Sequence, residues 1–223
     1  FPSGLALSRD GQRLLVTHFF TGRLTVIDLH TPTVRGTAST GADTNLSQFI
    51  AIAPDGTKAY FPQTRSNITN TNLLFDTTVF PVVNVVDLAK LQLLVRERIT
   101  LDTADEPVNV PFAGALSPDG KILYLANAGS NDVSVIDLST NNGLAHLTVG
   151  ANPRGIAITL DGSRIFVNNV LDGTLSVIDA ETLTVTDTVL MTDIPMAPQV
   201  LLGKKLFNSA AEPALTTDNW ISC

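Results

Sequence analysis

Short runs of alternating apolar and polar residues, each closed by a turn signal, recur along the chain. Residues 155–159 alternate small and aliphatic side chains. Leu160-Asp161-Gly162-Ser163 follows, a hairpin signal because Gly adopts positive φ without a Cβ clash. Residues 164–168 form a second β-rich run, 169–173 a polar turn, 174–179 a third, β-branched run, and 183–190 a fourth. A period of two, with Val, Ile and Thr enriched, predicts strands rather than helices. Four such runs joined by short connections predict one antiparallel sheet.

The same phrase occurs four times. Asp10-Gly11, Asp55-Gly56, Asp119-Gly120 and Asp161-Gly162 are spaced by 45, 64 and 42 residues. In three copies a second aspartate (Asp28, Asp137, Asp179) follows the first by 18 residues, and in the other Asp87 follows Asp55 by 32. A period of roughly 40–50 residues with four strands each is the mark of a β-propeller. A β-sandwich gives no reason for such a spacing. The sequence therefore predicts an all-β fold, a β-propeller of four-stranded antiparallel blades, with repeats at about 1–45, 46–109, 110–150 and 151–192. Residues 193–223 read as a linker leading to something else. The chain opens on Phe1 inside a repeat, so we expect a piece of a larger propeller, with seven blades as one total.

The second repeat is stretched, with extra residues at about 63–80, including Arg65, and again at about 101–111. In a four-stranded blade these two connections leave the sheet at the same end, and loops on a rigid scaffold are where binding sits. One polar residue recurs eight positions after each first aspartate: His18, Gln63, Asn127 and Asn169. Ser3, Gln48, Phe112 and Arg154 precede the first strands and share that end. Together with Arg65 they form the candidate face for a protein partner or a small polar ligand at the channel mouth. The alternative is that the Asn and Gln side chains tie strand ends to loop backbone. His30 and His146 have no partner at metal-ligand spacing and read as structural or exposed, so no metal site is expected.

The chain has 223 residues, 44% hydrophobic and 16% charged, with a net charge of −7 and no basic stripe. Nucleic acid is not an expected partner, because phosphate binding is driven by clustered Lys and Arg. No apolar run reaches the ~18 residues of a membrane span. The single cysteine, Cys223, is the last residue and says little about redox compartment.

The phrases Ala115-Leu116-Ser117-Pro118-Asp119-Gly120, Leu123-Tyr124-Leu125-Ala126-Asn127 and Val133-Ser134-Val135-Ile136-Asp137 resemble the repeat of YVTN-type β-propellers. The resemblance covers about 1–192, with a departure at Phe61-Pro62-Gln63. It implies the fold but not one function, since such propellers serve as surface-layer modules, lactonase-like enzymes and subunits of redox complexes. The tail is of another kind. Gly203-Lys204-Lys205-Leu206-Phe207, followed by Trp220-Ile221-Ser222-Cys223, resembles the opening of a c-type cytochrome domain of the di-haem cytochrome c peroxidase type. That resemblance implies that Cys223 is the first thioether cysteine of a Cys-x-x-Cys-His motif. The second Cys and the axial His are not in this chain, so no cofactor is expected within it, while haem c is implied for the parent protein.

Three functions follow. The first is a non-catalytic scaffold or docking domain of an exported, haem-containing redox protein, located in the periplasm or at the cell surface, with an adjacent cytochrome domain as partner. The second is a lactonase-like hydrolase, although neither Gly-x-Ser-x-Gly nor His-Glu-x-x-His occurs. The third is a surface-layer or adhesion module. The parent gene discriminates among them. We expect the codons after Cys223 to encode x-x-Cys-His, and sequencing that yields anything else removes the cytochrome reading.

Overall fold

Each Asp-Gly pair closes a hairpin. Gly11, Gly56, Gly120 and Gly162 have φ of +69°, +71°, +72° and +75°. Their N–H groups donate to the carbonyls of Ser8, Ala53, Ser117 and Thr159 at 2.8–2.9 Å. The preceding aspartate accepts at Oδ1 from the N–H two residues on, at 2.9–3.1 Å in all four repeats. The second set, Asp28, Asp87, Asp137 and Asp179, does the same for its own turn at 2.8–3.0 Å. The 18-residue recurrence is thus the distance between two carboxylates that close two turns at one end of a blade. Hydrogen bonds to the ionised form hold all eight below the ordinary aspartate value, Asp161 at about 2.

The computed structural model describes residues 1–67, 69, 78–213, 215, 216, 219 and 222. These fall into two units, Phe1–Leu101 and Asp102–Cys223. The first unit opens with a sheet of β1 (Pro2–Leu7), β2 (Arg13–His18), β3 (Arg23–Asp28) and β4 (Thr33–Ser39), paired in that order. Its second sheet contains β5 (Thr44–Asn45), β6 (Ala51–Ile52), β7 (Lys58–Ser66), β8 (Val79–Asp87), β9 (Gln92–Leu93) and β10 (Ile99–Thr100). A one-turn helix α1 (Leu101–Ala104) ends this stretch. The second unit has a sheet of β11 (Pro111–Leu116), β12 (Ile122–Asn127), β13 (Asp132–Asp137) and β14 (Asn142–Thr148). Another follows, of β15 (Pro153–Ile158), β16 (Arg164–Asn169), β17 (Thr174–Asp179) and β18 (Thr184–Leu190). Helix α2 (Pro198–Asn208) comes last. All pairs are antiparallel and each sheet is one blade, so the fold class is that of a β-propeller, as the repeats imply.

The second blade departs from the simple four-strand reading. Its inner strand is split, with β5 pairing at Arg65 and Thr64 and β6 at Tyr60 and Ala59. The break falls opposite residues 61–63, where Pro62 has no N–H to offer a ladder. The outer strand is split as well, into β9 and β10. The insertion expected at 63–80 begins later than the sequence suggested: β7 and β8 continue as a ladder out to Ser66↔Val79. Residues 68 and 70–77 of that insertion lie outside the described residues. The 193–223 segment belongs to the second unit.

The first unit is held by a buried cluster that includes Leu15, Leu24, Val26, Phe61 and Val86, drawn from both of its blades. Each such side chain contributes about 1.5–3 kcal/mol when fully buried. In the second unit β12 and β13 are buried almost throughout, with Leu123, Leu125, Val133, Val135 and Ile136 at 0–1% exposure. Strand β16 buries Ile165 and Val167 in alternation, the ordinary period-two pattern. Gly120→Val puts a β-branched residue at positive φ, and we expect it to lower the unfolding free energy by about 1–3 kcal/mol in denaturant titration. An unchanged midpoint would show the turn is not under this constraint.

Candidate functional site

The strand registers define two ends of every blade. One carries the aspartate turns. The other carries the start of the first strand, the end of the second and the start of the third, as at Pro2↔His18↔Arg23 and Pro153↔Asn169↔Thr174. All the positions singled out from the repeats lie at this second end.

The four recurring polar residues serve one shared purpose. His18 Nε2 pairs with Thr25 Oγ1 at 2.9 Å, and Gln63 Oε1 accepts from Asn84 Nδ2 at 2.6 Å. Asn127 Nδ2 donates to Ser134 Oγ at 3.0 Å, and Asn169 Nδ2 to Ser176 Oγ at 2.8 Å. Each partner stands three residues before the second aspartate of its repeat. Every blade is therefore braced across its two middle strands by one side-chain hydrogen bond, of about 0.5–1.5 kcal/mol net. Gln63, Asn127 and Asn169 are fully buried. They tie the strands together and do not line an open surface. Burial holds the His18 imidazole below its ordinary value.

The first unit extends this brace into a chain. Ser3 donates to the Ser47 carbonyl, and Gln63 Nε2 donates to Ser47 Oγ. Arg98 Nε donates to Asn84 Oδ1 at 2.6 Å and Nη2 to the Thr40 carbonyl at 3.4 Å. Arg98 was not expected from the sequence, and burial lowers its pKa. Gln48 is half-buried, its carbonyl packed against Gly4.

Two exposed arginines remain. Arg65 pairs with Asp43 and lies 5.9 Å from the centre of the Phe80 ring. These residues border a cavity of about 400 Å³ with Asn67 and Thr69. In the second unit Arg154 lies 5.0 Å above the Phe112 ring, and its Nε donates to Asn152 Oδ1 at 2.6 Å. Cys223 lies outside the described residues.

His146 is neither simply structural nor exposed. Its Nδ1 pairs with Asp105 Oδ2 at 3.0 Å and its Nε2 stands 3.6 Å from Asp132 Oδ2. The hydrogen bond to Asp105, helped by the Asp132 charge, raises the imidazole to about 9. Burial pushes Asp132 up to about 6, against the pull of His146 and of Asn127, whose Nδ2 donates to its Oδ1 at 2.6 Å. Spacing could not reveal this trio, which spans 41 residues. A repeat alignment could have. Where this blade has His146 opposite Ser134, the neighbouring patterns have Thr37 opposite Thr25 and Thr188 opposite Ser176. Asp132 stands where the other repeats have Arg23, Val82 and Thr174.

The C-terminal segment is fastened to the same end of the second unit. Lys205 Nζ meets Asp172 Oδ1 at 2.5 Å, Asn131 Nδ2 donates to Ser209 Oγ at 3.1 Å, and Ser222 Oγ donates to Asn109 Oδ1 at 2.8 Å. The Ala210 N–H reaches the Gly129 carbonyl at 2.5 Å. Among the described residues, no group of three or more His, Cys, Asp or Glu is arranged to hold a metal ion. No helix among them is long and apolar enough to cross a membrane.

Blades of this form define a β-propeller. The family model for the cytochrome D1 heme domain matches residues 76–200, more than half of the chain, and the chain belongs to that family. Among solved structures it is similar to hydrazine synthase of Kuenenia stuttgartiensis, with a TM-score of 0.66 and 22% identity. That match covers 85% of this chain and 49% of the other, so this chain spans about half its length, and the likeness is one of fold. Comparison with curated proteins gave no match.

A haem needs an axial donor aimed into an apolar slot. Among the described residues the histidines do not supply one. His18 Nε2 is engaged by Thr25 and His30 is exposed. His146 faces a cavity whose wall includes Asp132 and Asp172, which would meet the haem carboxylates with like charge. Met191 and Met196 are exposed, at 62% and 37%. The histidines and methionines among the described residues therefore offer no axial donor.

Because the folded state holds the His146 proton more tightly than the unfolded chain, its contribution is complete below pH 6.5 and fades as pH rises through about 9. We expect the unfolding free energy to fall over that interval, and His146→Gln to flatten this alkaline arm in denaturant titrations at stepped pH. An unchanged slope would show that His146 is not protonated in the folded protein.

Proposed function

We propose that this chain is a non-catalytic scaffold and docking domain of an exported, haem-containing redox protein, working in the periplasm or at the cell surface. Membership in a haem-domain family supports the redox setting. That the described histidines and methionines offer no axial donor supports placing that group in a neighbouring domain. Under this reading Cys223 begins the attachment motif of an adjacent c-type cytochrome domain, and the YVTN-like phrases are the form the blade sequence takes here.

The observation that carries the proposal is where the C-terminal segment runs. The stretch that resembles a cytochrome opening is pinned by Lys205, Ser209 and Ala210 to the strand-start end of the second unit. That is also the end where Arg154 lies over Phe112. An arginine backed by an aromatic ring is a common anchor at protein interfaces, since it offers both charge and flat apolar area. Arg65 with Phe80 offers the same combination in the first unit. The braced Gln63, Asn127 and Asn169 then hold these anchors in place and do not touch the partner themselves.

The test is an NMR titration of the isotopically labelled chain with a soluble c-type cytochrome. We expect shifts to centre on Arg65, Phe80, Phe112, Arg154 and α2, and Arg154→Glu to weaken binding several-fold without moving the thermal midpoint. Shifts centred on the aspartate turns, or none at all, would overturn the proposal.

A further inference from the structure

Behind the strand ends of the second unit lies a cavity of about 500 Å³, walled by Ser130, Asp132, His146, Thr148, Gly150 and Asp172 among others. That volume suits a drug- or sugar-sized molecule. Both of the repeat-breaking residues of this blade, Asp132 and His146, face it. An Asp placed where sister blades carry Arg, Val or Thr and a His where two of them carry Thr, both largely withdrawn from solvent, are costly to keep unless used.

The geometry between them is specific. Asp105 takes the Nδ1 proton and so fixes the ring, leaving Nε2–H directed toward the Asp132 side. At 3.6 Å, Nε2 and Asp132 Oδ2 are too far apart for a good hydrogen bond. A single oxygen seated beside the pair, within hydrogen-bond distance of each, can accept from Nε2–H and donate to the carboxylate. A hydroxyl does both at once. Charge narrows the choice further. Asp105, Asp132 and Asp172 oppose an anion, although Lys205 offsets Asp172, and the imidazolium opposes a small cation. Glu106 adds to the negative field around His146. A neutral ligand meets neither penalty. Ser130 and Thr148 supply further hydroxyls on the wall. A Cβ at Gly150 would come within 2.6 Å of Asp172 Oδ2 and 2.7 Å of Asn169, so the backbone there can sit close only as glycine.

We propose that this cavity binds a small neutral molecule bearing hydroxyl groups, of sugar or polyol size, one of whose oxygens bridges His146 and Asp132. The cavity lies at the same end of the second unit as the docking face, but its His146–Asp132 pair is not part of that face, and the inference stands whether or not that reading holds.

The experiment follows the His146 ring nitrogens by ¹⁵N NMR in the whole chain, with no cytochrome present. Glycerol and glucose are the probes, and inorganic phosphate and methylammonium are the charged comparators. We expect a saturable shift with the neutral probes, and binding at least about tenfold weaker in Asp132→Asn. Thr148→Trp should do the same by filling the cavity mouth from an exposed strand position, while leaving the His146 resonance and its titration in place. It therefore guards against a folding defect in Asp132→Asn. The proposal fails if the neutral probes give no saturable shift, as when only water bridges the pair. It also fails if Thr148→Trp binds as well as the parent, or if phosphate or methylammonium binds more tightly than the polyols.

Discussion

A four-stranded sheet with apolar side chains on both faces can be stable only when something covers each face, and that constraint shapes both units. In the first unit β2 and β3 meet the second blade through Leu15, Leu24, Val26 and Phe61. Once both faces are committed to packing, the polar groups inside a blade must find partners along its own plane or at its ends. This is why one side-chain hydrogen bond recurs between the middle strands of every blade. The carboxylates that close the turns lie at the exposed blade ends and bond to backbone N–H groups in their own turns.

The strands and turns were legible because each is specified locally. An Asp-Gly pair writes its own hairpin, and the second aspartate writes the next turn, so spacing alone located them. The second blade was harder to read. Its strands β7 and β8 absorb part of what looked like a loop, because residues 64–66 and 79–81 go on pairing although they break the repeat phrase. Pro62 was visible as a departure, but its effect on the partner strand depends on a pairing that sequence does not show.

The candidate site was half legible. Alignment by Asp-Gly exposes the recurring polar position, which reads as a binding face in the sequence and which the structure shows bonded across the middle strands. What alignment cannot reveal is that the side chain turns sideways along the sheet to its neighbour, while Arg65 in one unit and Arg154 in the other stay exposed. The Asp105–His146–Asp132 group was missed because its members come from three separate segments of the chain. They are also not what the repeat carries, so a search for recurrence passes over them. Within a repetitive fold, recurrence marks scaffolding, and the departures from it mark where selection has asked for something else.

One carboxylate in the second unit has two duties. Asp172 receives the Ala151 N–H at Oδ2 and holds Lys205 of α2 at Oδ1. The wall of the polar cavity and the helix that leaves the last blade are therefore hooked to the same side chain. Moving that helix away therefore means breaking an ion pair to a carboxylate that also lines the cavity.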